Sequence, residues 1–353
     1  MGTPTIIKAN EYFDVSLYEG NGTVIGSGGK TISGLQFKPD LAWIKNRDNA
    51  SHFHTLYDSS RGVTKELYTN SDSREGTATE GLTSFTSDGF VLGNAVNVNT
   101  SSNSFVSWNW LANGATTSSN SNGSITSTVQ ASATSGFSIV KYTGTGSAAT
   151  IGHGLSTAPT LIAVKNLADN SSNWHVYMNA TRANNANTYY MMFNSDDSQS
   201  DVGAVWNDTS PTTTVFSVGG ENTSNKASTN FIAYCWTDIE AFQKIGQYTG
   251  NNNADGPFIY TGFKPAFLMV KGLNIGNGWA VWDSARSPTN AIDKALFWNT
   301  TGADDTGNTI DFLSNGFKLR SNNTDFNTAH IYGYLAIAEQ PFIGDGVSPT
   351  TAR

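Results

Sequence analysis

The sequence predicts an all-β protein built from three tandem β-sandwich repeats of about 105 residues each. Three observations carry this. Apolar runs are short, rich in Val, Ile, Phe, Tyr and Trp, and bounded by Gly, Asn, Asp or Ser, which is strand punctuation. No segment carries a sustained apolar stripe at i, i+3, i+4, and the best helical candidates, such as Asn290–Leu296, run for a turn or two. One series of anchor residues recurs three times in the same order.

The series begins at Tyr18, Tyr142 and Tyr248, in YEGNG, YTGTG and YTGNN. It continues through FKPDLAWIKN, TAPTLIAVKN and FKPAFLMVKG, in which Pro39, Pro159 and Pro265 each stand six residues before Lys45, Lys165 and Lys271. Tyr57, Tyr177 and Trp282 follow, then Phe90, Phe216 and Phe317, and finally FVSWNW, FIAYCW and IYGYLA, whose first residues lie 15, 15 and 14 positions beyond those phenylalanines. The spacing predicts repeats over 1–113, 136–240 and 241–353. The stretch 114–135, rich in Ser, Thr and Asn, reads as a flexible linker that leaves the first repeat freer to move than the other two. A propeller competes, but three units are too few to close one.

Proline lacks an N–H and suits the start of a strand. The nearly continuous apolar run after it predicts burial on both faces. The lysine then reads as the point where the strand leaves the core, its stem on apolar surface and its ammonium in water. A Schiff-base amine or anion ligand is the other reading. YDSSR (Tyr57–Arg61) and WDSAR (Trp282–Arg286), with a looser YMNATR (Tyr177–Arg182), read as structural corners in which Arg61 and Arg286 pair with the preceding polar residue. A carbohydrate or carboxylate contact is the alternative there.

Charged residues make up only 14% of the 353, against about 25% in ordinary domains. The net charge of −8 offers no basic stripe for nucleic acid. The single cysteine, Cys235, excludes an internal disulfide framework and reads as a core residue. The start lacks a signal-peptide core, and no apolar run is long enough to span a bilayer, so the expectation is synthesis in a cytoplasm without membrane insertion. Nucleophile-elbow, zincin, P-loop and dinucleotide motifs are missing, so no catalytic residue and no cofactor are expected. His52 and His54 form an HxH pair that suits a metal on one strand face, but no partner pair stands at ligand spacing, and no metal is assigned. Residues 251–258 and 300–311 form acidic loops that read as turns more readily than as calcium sites. Because shared residues build the fold, partner contacts are expected where copies differ: 51–55 with His52 and His54, 202–211 around Trp206, and 297–305 around Trp298. Trp206 and Trp298 stand among polar residues, which leaves sugar stacking open, but filling a subunit interface or capping the protein's own core is the preferred reading of both.

The series Phe37–Arg47, Tyr57–Gly62, Thr83–Gly93 and Phe105–Gly114, with the companion pattern in the second and third copies, resembles tandem-repeat virion proteins of marine tailed bacteriophages. The resemblance implies lectin-like or jelly-roll-like modules in a non-enzymatic tail-fibre or host-surface-binding component of the virion. Its implied partners are other virion proteins, further copies of the chain (a trimer foremost) and a host-surface glycan or receptor. A capsid decoration or fibre-shaft protein is the alternative, and a glycan-degrading tailspike a third reading.

Overall fold

The computed structural model describes residues 7–180 and 186–339. The chain is almost entirely antiparallel β. The first module contains β1 (Phe13–Glu19), β2 (Lys30–Ile32), β3 (Leu41–Asn46), β4 (Thr55–Asp58), β5 (Lys65–Tyr68), β6 (Gly76–Thr77), β7 (Leu82–Thr86), β8 (Gly89–Leu92) and β9 (Ser104–Trp110). The second contains β10 (Ser118–Asn120), β11 (Ser127–Ser132), β12 (Phe137–Thr143), β13 (Ala149–Gly152), β14 (Leu161–Asn166), β15 (His175–Met178), β16 (Tyr189–Met192), β17 (Ser200–Asp201), β18 (Val215–Val218) and β19 (Asn230–Trp236). The third contains β20 (Gln243–Thr249), β21 (Phe258–Tyr260), β22 (Pro265–Gly272), β23 (Trp279–Asp283), β24 (Ile292–Phe297), β25 (Asp305–Leu313), β26 (Gly316–Leu319) and β27 (Ile331–Ala338). The helical candidate Asn290–Leu296 thus falls mostly in β24, where Ala295 and Leu296 are buried.

The same strand order recurs. The large sheets run β1-β9-β3-β4-β5, β12-β19-β14-β15-β16 and β20-β27-β22-β23-β24. Smaller layers, β2-β8-β7 and β13-β18, cover one face of the first two, giving sandwiches. In the third module the large sheet continues through β25 and β26 to β21, past a register shift between Ile292 and Lys294, so one curled sheet supplies both layers.

The tyrosine anchors explain part of this recurrence. Tyr18, Tyr142 and Tyr248 stack on Phe105, Phe231 and Tyr332 at 5.1, 5.2 and 5.3 Å. Their hydroxyls donate to the carbonyls of Val98, Ser224 and Phe326. Register places Tyr332, not Ile331, in the role of Phe105 and Phe231. Asn99, Asn225 and Asn327 lock the same corners, their side chains accepting the N–H groups of Asn21, Thr145 and Asn251 at 2.8–3.0 Å.

The second face of each large sheet turns toward the other two modules. Leu41 and Trp43 of β3, Leu161 and Ala163 of β14, and Phe267 and Met269 of β22 share a single core. Ala42 and Ile44, or Ile162 and Val164, fill the private core of their own sandwich. The central strands are therefore buried on both faces, as their apolar runs predict.

Two expectations fail here. Residues 114–135 do not form a free linker: β10 and β11 extend the second sheet, Val129 and Gln130 are buried, and Gln130 Nε2 donates to Ser60 Oγ of the first module at 2.7 Å. Nor is the first module mobile, because Trp43, Trp108 and Trp110 pack into the shared core. Among the described residues no helix is long and apolar enough to cross a membrane.

Candidate functional site

The repeated residues meet at three joints that run head to tail. The Lys165 ammonium, in β14, donates to the carbonyls of Ser172 and, in the first module, Asp72, the latter at 2.9 Å. The Lys271 ammonium, in β22, donates to the carbonyls of Asn277 (2.7 Å) and, in the second module, Asp196 (3.0 Å). The Lys45 ammonium donates to the Asn46 carbonyl at 2.6 Å and feels the Asp304 carboxylate of the third module. The carbonyls two residues beyond each lysine, on Arg47, Leu167 and Leu273, accept the N–H groups of Asp304, Glu75 and Gln199. The second module thus grips the first, the third grips the second, and the first grips the third. Head-to-tail contacts of this kind close into a ring.

The lysines are fully buried, so their ammonium groups do not reach water. Burial pulls each down to about 8, with nearby carboxylates opposing the shift. The sequence reading missed this because an apolar run ending in lysine looks the same whether solvent or a neighbouring module follows.

A second set of contacts accompanies the first. Trp174 and Trp279 donate their indole N–H to the carbonyls of Tyr68 and Met192 across the joints, each at 2.8 Å. His54 occupies the equivalent place at the third joint. Its Nδ1 accepts the Trp43 indole N–H at 3.3 Å, which leaves the ring proton on Nε2, a buried atom that makes no hydrogen bond within normal geometry. Burial holds this ring well below the ordinary histidine value, and the charges of Lys45 and Arg286 push the same way. The N–H groups of His54, Trp174 and Trp279 donate to the side chains of Asn70, Asn194 and Asn299 at 2.9–3.0 Å. These asparagines carry no sequence signal beyond an offset of 20 residues in the second and third modules, shortened to 16 in the first.

The corners supply a third set. The side chains of Arg61 and Arg286 are buried and pair with Asp58 and Asp283. They also reach Glu75 and Asp304, and they donate to the carbonyls of Leu56 and Val281. Each carboxylate receives a further donor from a neighbouring module: Tyr234 hydroxyl to Asp58 at 2.7 Å, Trp108 indole to Asp283 at 3.0 Å. Each arginine thus pairs with the aspartate of its own corner. In the second module Met178 stands where the aspartate would be, and Leu335 where its aromatic donor would be. Arg182, the looser corner's arginine, lies outside the described residues. Pro39 and Pro159 lie two residues before β3 and β14, and Pro265 opens β22.

The candidate contact residues are mostly interior. Trp298 is 1% exposed and stacks on Trp43 in the shared core. Trp206 is equally buried and donates its indole N–H to the Tyr189 carbonyl at 3.1 Å. Neither ring is available to stack on a sugar. Its own module covers Trp206, and the first module covers Trp298. Residues 51–54 precede β4 rather than lying on one strand face, so His52 and His54 do not form a pair. His52 is partly exposed with Nδ1 2.8 Å from Asn46 Nδ2, and partial burial and the Lys45 charge lower its pKa. Cys235 is buried, which pushes its thiol up to about 12. Three carboxylates of the acidic loops meet cations, Asp255 with Lys318, Asp304 with Arg47 and Arg286, and Asp311 with Arg320, while Asp305 accepts from the Asn308 amide. Among the described residues no group of three or more His, Cys, Asp or Glu side chains is arranged to hold a metal ion.

What remains outside is a polar, weakly charged surface on which large exposed side chains are few. Among the described residues, exposed aromatic rings stand out at one place, Phe258 and Tyr260 on the edge strand β21. No curated protein and no solved structure matches the chain. Residues 8–341 match the model of a family described as a domain of unknown function, DUF7483; since that match takes in all three modules, the chain belongs to this family.

Proposed function

We propose that this chain is a bacteriophage virion structural protein, a tail-fibre or host-surface-binding component whose modules bind without catalysis. The observation that carries the reading is where the recurring residues go. The anchor lysines, the tyrosines and the paired arginines are consumed inside modules and at joints. The result is one stiff body that presents copy-specific, weakly charged loops outward, a design suited to holding a receptor contact in fixed geometry. The similarity to marine phage virion modules supplies the biological setting. Partners in this reading are other virion proteins, further copies of the chain with a trimer as the expected assembly, and a host-surface glycan or receptor.

One observation favours a second reading, in which the chain decorates a capsid or forms part of a fibre shaft. All nine tryptophans are buried, so the rings that most often stack on sugars serve packing instead. Gold-labelled antibody against the protein on imaged virions separates the two. Label at the tail tip, with saturable binding of the purified protein to host cells, supports the first. Label across the head, with no cell binding, overturns it.

A further inference from the structure

The third module differs from the others on the solvent face of its smaller layer. Ile259 pairs with Phe317, and Phe317 with Phe312, all turned into the core. Strand alternation then puts Phe258, Tyr260, Gly316, Lys318 and Asp311 together on the outer face. Tyr260 is 67% exposed and Phe258 45%. In the other modules the places flanking the equivalent inward residues, Ile32 and Ile151, hold Thr31 and Ser33 or Thr150 and Gly152. The aromatic pair is therefore specific to this copy and not demanded by the fold.

The Phe258 ring rests on the sheet. The Phe258 ring covers Gly316, where an added Cβ would come within 2.9 Å of it and 2.0 Å of the Ile259 carbonyl oxygen. Gly89 meets the Ile32 carbonyl in the same way at 1.9 Å, so close backbone approach requires the glycine and the Phe258 ring lies over the space it leaves. Around the rings the polar groups are fixed by one another. Lys318 Nζ lies 2.9 Å from Asp255 Oδ1 and donates to the Gly256 carbonyl at 2.8 Å. Arg320 Nε donates to Asp311 Oδ2 at 2.5 Å, and its Nη1 lies 3.7 Å from Asp255. Guanidinium and carboxylate are both presented, with charges balanced.

We propose that this face is a saccharide-binding site for a neutral oligosaccharide. The negative face of an aromatic ring attracts the C–H groups of a pyranose. Two such rings at i and i+2 stand about 7 Å apart along the strand, on the scale of neighbouring sugar rings. The Asp255, Asp311 and Arg320 groups supply acceptors and donors for hydroxyls at the rim, and their balanced charge selects for an uncharged chain. A protein strand would instead use the backbone edge of β21, as Ile125 uses that of β13 in the second module, its N–H donating to the Thr150 carbonyl at 3.0 Å. That mode needs no exposed rings.

The inference rests on the host-surface reading and is tested separately from it. The full chain and its Tyr260→Ala and Phe258→Ala variants are titrated against immobilised neutral hexasaccharides of glucose, galactose, mannose and N-acetylglucosamine, with a uronic acid hexamer as charged control. Expected is saturable binding to a neutral member, weakened about tenfold or more by Tyr260→Ala at unchanged melting temperature. Binding that survives both variants places the site elsewhere and leaves host attachment standing. Absence of saccharide binding, with Tyr260-dependent capture of another virion protein, makes the face a protein joint and overturns the proposal. Failure to bind host cells sinks the functional reading, while the saccharide titration still decides this site.

Discussion

The indole rings of Trp43 and Trp298 stack with centroids 3.6 Å apart, although one belongs to the first module and the other to the third. Phe193 of the second module closes on both, 5.9 Å from Trp43 and 5.6 Å from Trp298. Each module thus contributes at least one ring to the place where all three meet. Trp298→Ala opens a cavity there and is expected to cost about 3–5 kcal/mol. Urea denaturation measures it, and a loss under about 1 kcal/mol would show that the shared core does not hold the modules together.

A shared core also predicts cooperativity. Pulling one module away exposes apolar surface on the other two, so the chain should melt in one transition. Differential scanning calorimetry checks this: a ratio of calorimetric to van't Hoff enthalpy near one is expected. A ratio near three would mean that the modules unfold separately.

The joint lysines predict an alkaline rise in stability. Burial lowers their folded-state pKa to about 8, while the unfolded chain keeps the ordinary 10.5. Below pH 8 both states are protonated and the folded state carries the full cost of the buried charge. Between 8 and 10.5 the unfolded state binds more protons, so stability rises with pH. Tyr18, Tyr142 and Tyr248 act oppositely: burial raises their folded pKa well above 10, so stability falls once unfolded tyrosines ionise. Chemical denaturation from pH 7 to 11 should give a maximum near pH 9–10. Lys271→Met should flatten part of the rise, and a profile unchanged by all three Lys→Met variants would reject the assignment.

The corner pairs predict a large asymmetry between partners. Arg286→Ala strands the Asp283 carboxylate in the interior and should cost about 3–5 kcal/mol. Trp108→Phe leaves Asp283 its Arg286 partner, so it removes a single charge-assisted bond and should cost about 1.5–3 kcal/mol. A double-mutant cycle of Tyr234→Phe with Asp58→Asn should show coupling of the same order across the other joint, and additivity would break the link.

The strands were legible because local chemistry encodes them. Proline, then an apolar run, then Lys45, Lys165 or Lys271 marks a doubly buried strand at one glance. The meeting of the modules was not legible, since no periodicity within 113 residues says what lies against its far side. Polar neighbours made Trp206 and Trp298 look exposed, yet those asparagines and threonines belong to turns beneath which the rings are tucked. Ser127–Ser132 looked like linker because a strand that pairs through its backbone needs few apolar side chains. Phe258 and Tyr260 sat unremarked within a sequence rich in aromatics. Only exposure separates a ring that packs from a ring that waits.

Three joints within one chain have a genetic consequence. In an assembly of three identical subunits, any substitution is written into every joint at once. Here each joint has its own codons. The buried aspartate with its aromatic donor is kept at two joints, while Met178 and Leu335 take those places at the third, where Met178 Sδ lies so close over Gly333 that an added Cβ would sit 2.4 Å from it. One joint is apolar where the other two are polar, so a single joint can differ without the other two having to match it.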